Sequence, residues 1–288
     1  DRSVAHGQAV ARHILAWADA DGGAVIENMG FPRDYTPGTR AQDWVPTSLI
    51  RLQQAPLLPD WGSTRTFVIP SVAALDAPPH PEYDEAPGSV FRGFAEEVYD
   101  TGRGLTDEQK LIARFWSDDP MLSPTPAGHW ISIVMQIADR DALPVETIAA
   151  TLAKLGIAQA DAFISCWSTK FRYNLLRPVT YIKRVIDPAW EPLLITPPFP
   201  EYTSGHSTQS GAASTVLTAA LGDGFAFEDA TNVAEGLPVR SFPSFAAAAE
   251  EAAVSRLYGG IHFRFGNEAG LTQGRAVGAY AAALQTEA

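Results

Sequence analysis

The stretch Pro200-Glu-Tyr-Thr-Ser-Gly-His-Ser207 runs without a break into Thr208-Gln-Ser-Gly-Ala-Ala-Ser-Thr-Val-Leu217. A small polar turn that opens a helix is an anion seat. The first amides of a helix have no internal partner, and that end of the dipole is positive. Ser204 adds a hydroxyl donor, Gly205 lets the backbone approach a ligand, and His206 places a proton carrier beside the seat. The rest of the chain must then supply cations.

On the N-terminal side lies Lys170-Phe-Arg-Tyr-Asn-Leu-Leu-Arg177-Pro178. Lys170 and Arg177 stand seven apart, two helical turns, and this spacing predicts one shared helix face from which both reach the same anion. The alternative is a solvated basic stripe, which suits Arg172. Trp167, one turn before Lys170, is either core or a wall of the site. On the C-terminal side lies Ser255-Arg256-Leu-Tyr-Gly-Gly-Ile-His262. Arg256 and His262 are out of helical phase, but Gly259-Gly260 can bend the chain and bring both to one point. Together Lys170, Arg177, Ser204, the Gly205 amide and Arg256 make a cradle for a tetrahedral oxyanion. His206 and His262 can take its two sides.

Around this centre the pattern is helical. Apolar residues recur at helical spacing over 3–19 (Val4, Val10, Ile14, Leu15, Trp17) and 89–101 (Val90, Phe91, Phe94, Val98, Tyr99). Thr106-Asp-Glu-Gln109 is a capping box opening a helix through Trp116. After Pro120, Pro124 and Pro126 a helix is predicted over 127–139, then a long one from Val145 to Leu176 that Pro178 ends or kinks. Further helices follow from Ser204 to Leu221, Phe245 to Leu257 and Asn267 to Gln285. Residues 22–88, rich in Pro, Gly and aromatics, read as an irregular layer packed on a surface. Few segments alternate with period two. The expected fold is an all-α helical bundle with long loops, forming a single domain over 1–288, with the site helices in 145–288.

The 288 residues are 46% hydrophobic and 19% charged, enough for a sizeable core. A net charge of -12 argues against nucleic acid or an anionic membrane as partner, and makes a local cluster of cations more telling. The one cysteine, Cys166, excludes an intrachain disulfide and reads as a buried small hydrophobe. No run of 18 apolar residues predicts a membrane span, and no signal peptide is visible. His80, inside Pro-Pro-His-Pro, reads as a solvent loop residue, and His6 and His13 as helix-surface residues.

The three motifs Lys-x6-Arg-Pro, Pro-x3-Ser-Gly-His and Ser-Arg-x5-His occur in order, spanning 170–262. In this the chain resembles the vanadium-dependent haloperoxidase and type 2 phosphatidic acid phosphatase superfamily. Trp116-Ser-Asp-Asp119 and Thr125-Pro-Ala-Gly-His-Trp130 are similar to its soluble bacterial haloperoxidase branch. The resemblance implies vanadate as cofactor, with phosphate able to occupy the same site. It makes His262 the ligand to vanadium and His206 the acid–base group. Lys170, Arg177, Ser204, Gly205 and Arg256 hold the oxide oxygens, and Lys170 also polarises bound peroxide. Asp119 looks like the family aspartate that pairs with the site's Arg and His, with Asp118 as the alternative. Phe199 falls where halide preference is affected, and Trp167 resembles the iodide-oxidising members. His129 is a candidate entrance residue, with a packing role as its alternative. Thr203 stands where Pro often precedes Ser-Gly-His. The implied reaction is oxidation of halide, iodide or bromide rather than chloride, by hydrogen peroxide, with small organic acceptors. The rival is a soluble acid phosphatase working through a phosphohistidine at His262. A periplasmic or secreted location follows from the use of external peroxide and halide, and a homo-oligomer stays open.

Overall fold

The computed structural model describes residues 1–23, 35–48, 54–119 and 123–286. Among them the fold is all-α, with nine helices and one short hairpin. In chain order these are α1 (Arg2–Asp19), α2 (Val90–Arg103), α3 (Asp107–Phe115), α4 (Pro126–Asp141), α5 (Val145–Tyr173), α6 (Pro178–Val185) and α7 (Gly205–Leu221). Strands β1 (Phe227–Asp229) and β2 (Arg240–Phe242) pair antiparallel, with Phe227 opposite Phe242. Then come α8 (Phe245–Tyr258) and α9 (Arg264–Ala282). The hairpin is too short to leave a period-two pattern in the sequence.

Local chemistry sets the ends of these helices. The capping box of α3 is complete, with Gln109 N donating to Thr106 Oγ1 at 3.2 Å and Thr106 N to Gln109 Oε1 at 2.9 Å. Pro126 and Pro178 do not break helices; each sits in the first turn of one, where the missing N–H costs nothing. The long helix α5 stops at Tyr173, earlier than the predicted Leu176. Asn174 caps it in the left-handed conformation at φ 50, which asparagine tolerates better than most residues. The last helix starts at Arg264 and ends at Ala282, three residues earlier at each end than the sequence reading.

Two apolar clusters form the interior. The larger gathers Trp130, Ile133, Val134 and Ile137 of α4, Leu155, Ala158 and Ala162 of α5, Val216 and Leu217 of α7, and the alanines of α8, closed by Phe227 and Phe242. The second joins Phe91, Ala95 and Val98 of α2 to Tyr181 and Ile182 of α6, with Tyr202, Phe263 and Phe265. α5 is long and apolar enough to cross a membrane, with a mean hydropathy of 1.2 over its best window. Here it is the central helix, and it also carries buried Asp161, Ser165, Thr169 and Lys170.

Helices α7 and α9 touch backbone to backbone. A methyl on Gly274 would collide with the carbonyl of Thr208 and come within 2.9 Å of Ala212 N. Only movement of a whole helix relieves such a clash. We expect Gly274→Ala to cost about 3 kcal/mol and to lower the thermal midpoint by roughly 5–10 °C in a calorimetric scan.

The loop layer is seen in part; 24–34 and 49–53 lie outside the described residues, as does Pro120. Its visible part is tied to α5. The Asp161 carboxylate accepts the amides of Phe67, Val68 and Ile69 at 2.7, 2.8 and 3.0 Å, and Trp167 Nε1 donates to Leu57 O at 3.2 Å. The helices read over 3–19 and 89–101 form as α1 and α2; Val4, Val10, Ile14 and Leu15 of α1 and Val90 of α2 are exposed, while Phe91, Ala95 and Val98 of α2 are core. His80 is not a solvent residue. It is half-buried among the rings of Phe91, Tyr173, Tyr202 and Phe265, and burial lowers its pKa. Those rings come from four distant segments, which a local reading of Pro-Pro-His-Pro does not contain.

Candidate active site

Lys170 stands in the last turn of α5 and Arg177 is the extended N-cap of α6, at φ -82 and ψ 155. They therefore do not share a helix face, as their spacing suggested. The left-handed turn at Asn174 folds the chain between them, and both side chains are fully buried. Ser204 caps α7, with Gly205 and His206 in its first turn. Arg256 lies in the last turn of α8. His262 follows Gly259-Gly260, where Gly260 takes φ 75 and carries the chain around between Trp190 and Pro192. All these residues meet in one place. The His262 ring feels the charges of Arg177, Lys170 and Arg256 and the His206 ring together.

Hydrogen bonds fix the tautomer of His262. Arg177 Nη1 is 2.9 Å from Nε2, and a guanidinium can only donate, so Nε2 is the acceptor. The ring proton is then on Nδ1, 2.7 Å from Glu201 Oε1. Burial first, then Arg177 and Lys170, drive the His262 pKa well below the ordinary histidine value, so the ring is neutral. Glu201, which holds the His262 ring, is a residue that the sequence reading passed over, although it sits inside the central turn. It is fully buried, and it also accepts the Phe263 amide at 3.1 Å. Burial raises its pKa to about 7 against the pull of Lys170 and Arg177. Its presence beside a histidine sequence-distant by 61 positions left no local signal.

The cations are held by backbone. Lys170 Nζ donates to Pro200 O at 2.8 Å and Glu201 O at 2.9 Å. Arg177 Nε donates to Phe199 O at 2.8 Å and Nη1 to Ile261 O at 2.9 Å. Arg256 Nη1 donates to Trp116 O. Burial lowers Lys170 to about 7, Arg177 to about 9 and Arg256 to about 10. An anion among them would reverse that penalty.

The donors left over describe what fits. Arg177 Nη2, Arg256 Nε and His206 Nε2 are buried without a hydrogen-bond partner. Ser204 Oγ accepts from Ser207 Oγ at 3.0 Å, which leaves its own proton free to donate. Buried donors without partners are rare and costly. Guanidinium, hydroxyl and helix-start amide are the donors that a tetrahedral oxyanion takes, and a neutral imidazole with its lone pair on Nε2, here turned to Arg177 Nη1, is the form that ligates a metal. The donor set therefore fits an oxyanion whose central atom accepts a histidine. Phe199 lies over both Lys170 and Arg177, at 5.2 and 4.9 Å. Trp167, stacked on Phe163 with centroids 3.8 Å apart, adjoins Phe199 and forms the wall. Cys166 is buried behind them, its Sγ 3.5 Å from Thr203 O.

The carboxylate that meets His206 is Asp118, not Asp119. Asp118 Oδ2 is 3.3 Å from His206 Nε2, an ion-pair distance at an angle that does not make a hydrogen bond. Asp119 is half-buried, hydrogen-bonds Ser117 and reaches Arg256 through space, without meeting His206. Between neighbouring identical residues the sequence could not choose; Asp118 takes φ 49, which turns its side chain inward. The entrance role read for His129 is also overturned. His129 has no exposed surface and lies between Asp118 and Asp229, at 2.7 and 2.8 Å.

A crystal structure of a bacterial vanadium-dependent iodoperoxidase superimposes on 96% of this chain and 68% of its own, with a TM-score of 0.87 and 42% identity. The chain belongs to the vanadium haloperoxidase family. Residues 150–288 match the VCPO second helical-bundle domain, the part that carries every cradle residue. A holo-type bacterial vanadium-dependent chloroperoxidase shares the fold, with a TM-score of 0.77 over 96% of this chain and 71% of that one at 18% identity. No curated protein sequence matches significantly. Family membership accounts for the order of the three motifs, and the fold for their convergence.

Proposed function

We propose that this haloperoxidase-family chain uses vanadate and hydrogen peroxide to oxidise halide, iodide or bromide in preference to chloride, giving hypohalous acid for small organic acceptors. The observation that carries the reading is the similarity to an iodoperoxidase at 42% identity over 96% of the chain. The unpartnered donors of Arg177, Arg256 and His206 support it.

His262 Nε2 would bind the vanadium. Lys170, Arg177, Ser204, the Gly205 amide and Arg256 would hold the oxygens. Bound there, vanadate supplies the activation of peroxide for a two-electron oxidation; halide loses the electrons and peroxide is reduced to water. The protein does the rest. Glu201 keeps the proton on His262 Nδ1 and so leaves the lone pair on Nε2, which a ligand would take in place of Arg177 Nη1. His206 is depressed to about 4, by burial first and then by Arg256, against the pull of Asp118. It is therefore neutral near pH 7 and, with Nε2 turned to Asp118, can take a proton at Nδ1 from incoming peroxide. Lys170, held by two carbonyls, presents its charge to the same point and withdraws electron density. Trp167 and Phe199 exclude water over the cations.

The test is a paired assay on the purified chain, with and without vanadate. The expected result is iodide and bromide oxidation that requires both vanadate and peroxide. Hydrolysis of p-nitrophenyl phosphate with no halide oxidation would replace this reading by the phosphatase one.

A further inference from the structure

Behind the cradle runs a buried row of side chains from four parts of the chain. Asp229 of β1 places Oδ2 2.8 Å from His129 Nε2, and His129 of α4 places Nδ1 2.7 Å from Asp118 Oδ1. Asp118, just after α3, places its other oxygen 3.3 Å from Nε2 of His206 at the start of α7. Asp229 Oδ1 is occupied in turn by the Thr231 amide at 2.9 Å. The His129 side chain and that of Asp229 are 0% exposed, and that of Asp118 is 1% exposed.

Each nitrogen of His129 faces a carboxylate oxygen at hydrogen-bond distance. A carboxylate only accepts. A neutral imidazole would press one nitrogen lone pair against an oxygen lone pair, so both contacts are satisfied only when both nitrogens carry protons. The rest of the surroundings are aromatic, with Trp116 stacked on the ring at 4.4 Å and Phe115 at 5.5 Å. Arg240 lies over Phe115, 5.7 Å from its centroid, and Arg256 and Asp119 approach the row at its Asp118 end.

We propose that His129 is a buried imidazolium that positions Asp118 and, through it, His206, with Asp229 holding the far end of the row. A lone carboxylate is free to turn about its last torsion. Fixing Asp118 Oδ1 on His129 aims Oδ2 at His206. Asp229 keeps the His129 ring in plane and supplies the second negative charge that a buried cation needs. Consistent with this, Asp118 and then Asp229 raise the His129 pKa to about 9 although burial opposes them. His129 and His206 together hold Asp118 at about 2 against its own burial. The effect on turnover rests on the proton role given above to His206; the charge state of His129 does not.

The full chain, labelled with 15N at histidine and free of vanadate, separates the two by NMR. At pH 7.5 both His129 nitrogens are expected to give protonated signals, and a lone-pair nitrogen would overturn the proposal. In Asp229→Asn the His206 ring signals are expected to shift, although Asp229 does not touch that ring; unchanged signals would sink the relay. In turnover, Asp229→Asn and His129→Gln are expected to lower kcat about 10-fold while vanadate affinity stays within about threefold of wild type. A parallel fall in kcat, affinity and thermal midpoint would reduce the row to a structural role and overturn the proposal. If wild type oxidises no halide while both NMR results hold, the haloperoxidase reading fails and the charged clamp stands.

Discussion

His262→Ala loses the retained vanadate. The expected fall in affinity is about 100-fold or more, about 3 kcal/mol, because the one side chain able to bond to the central atom is gone while the oxygen donors remain. Equilibrium dialysis against orthovanadate reads it directly, and halide oxidation falls with it. The change also strips Glu201 of one of its two hydrogen bonds, the other being the Phe263 amide. A buried carboxylate deprived in this way costs about 1–3 kcal/mol of stability. The thermal midpoint must therefore be measured beside the affinity, so that loss of fold is not taken for loss of ligand. Wild-type affinity in a folded His262→Ala protein would remove His262 as the ligand.

His206→Ala keeps vanadate and loses turnover. Positioned proton transfer is worth about 10²–10⁴ in rate, and that is the expected drop in kcat. Affinity should change little, since Arg177, Arg256, Ser204 and the Gly205 amide remain. The pH dependence follows from the same ring. Its pKa is depressed to about 4, so the proton-accepting form is present above that pH and lost below it. An oxyanion beside Arg256 offsets one of the charges that depress it and moves this limb upward. Wild-type kcat/KM should therefore fall on the acid side, and His206→Ala should be flat there. An acid limb that survives unchanged in the variant would assign it to another group.

These two substitutions separate what one residue can show in a sequence from what needs partners. His262 and His206 were legible because each sits in a short motif with its neighbours at fixed spacing. Glu201 was equally close to the central turn, yet its role depends on a histidine brought to it by the bend at Gly260. His129 read as an entrance residue because a proline-rich stretch precedes it. Its true surroundings are aspartates 11 residues before it and 100 after it. The choice of Asp118 over Asp119 turned on a single backbone torsion.

The amino-acid order alone determined the all-α class, the capping of α3, the candidate anion seat at the start of α7 and the cations proposed to face it. These are local facts of periodicity, helix ends and residue chemistry, and they hold over a few turns of chain. Tertiary structure alone decided the rest. It set how Lys170 and Arg177 converge across a broken helix, which tautomer His262 adopts, which aspartate meets His206, and that His129 is clamped between two carboxylates. Burial and long-range pairing control charge and orientation, and both are properties of side chains that are neighbours only after the chain has folded.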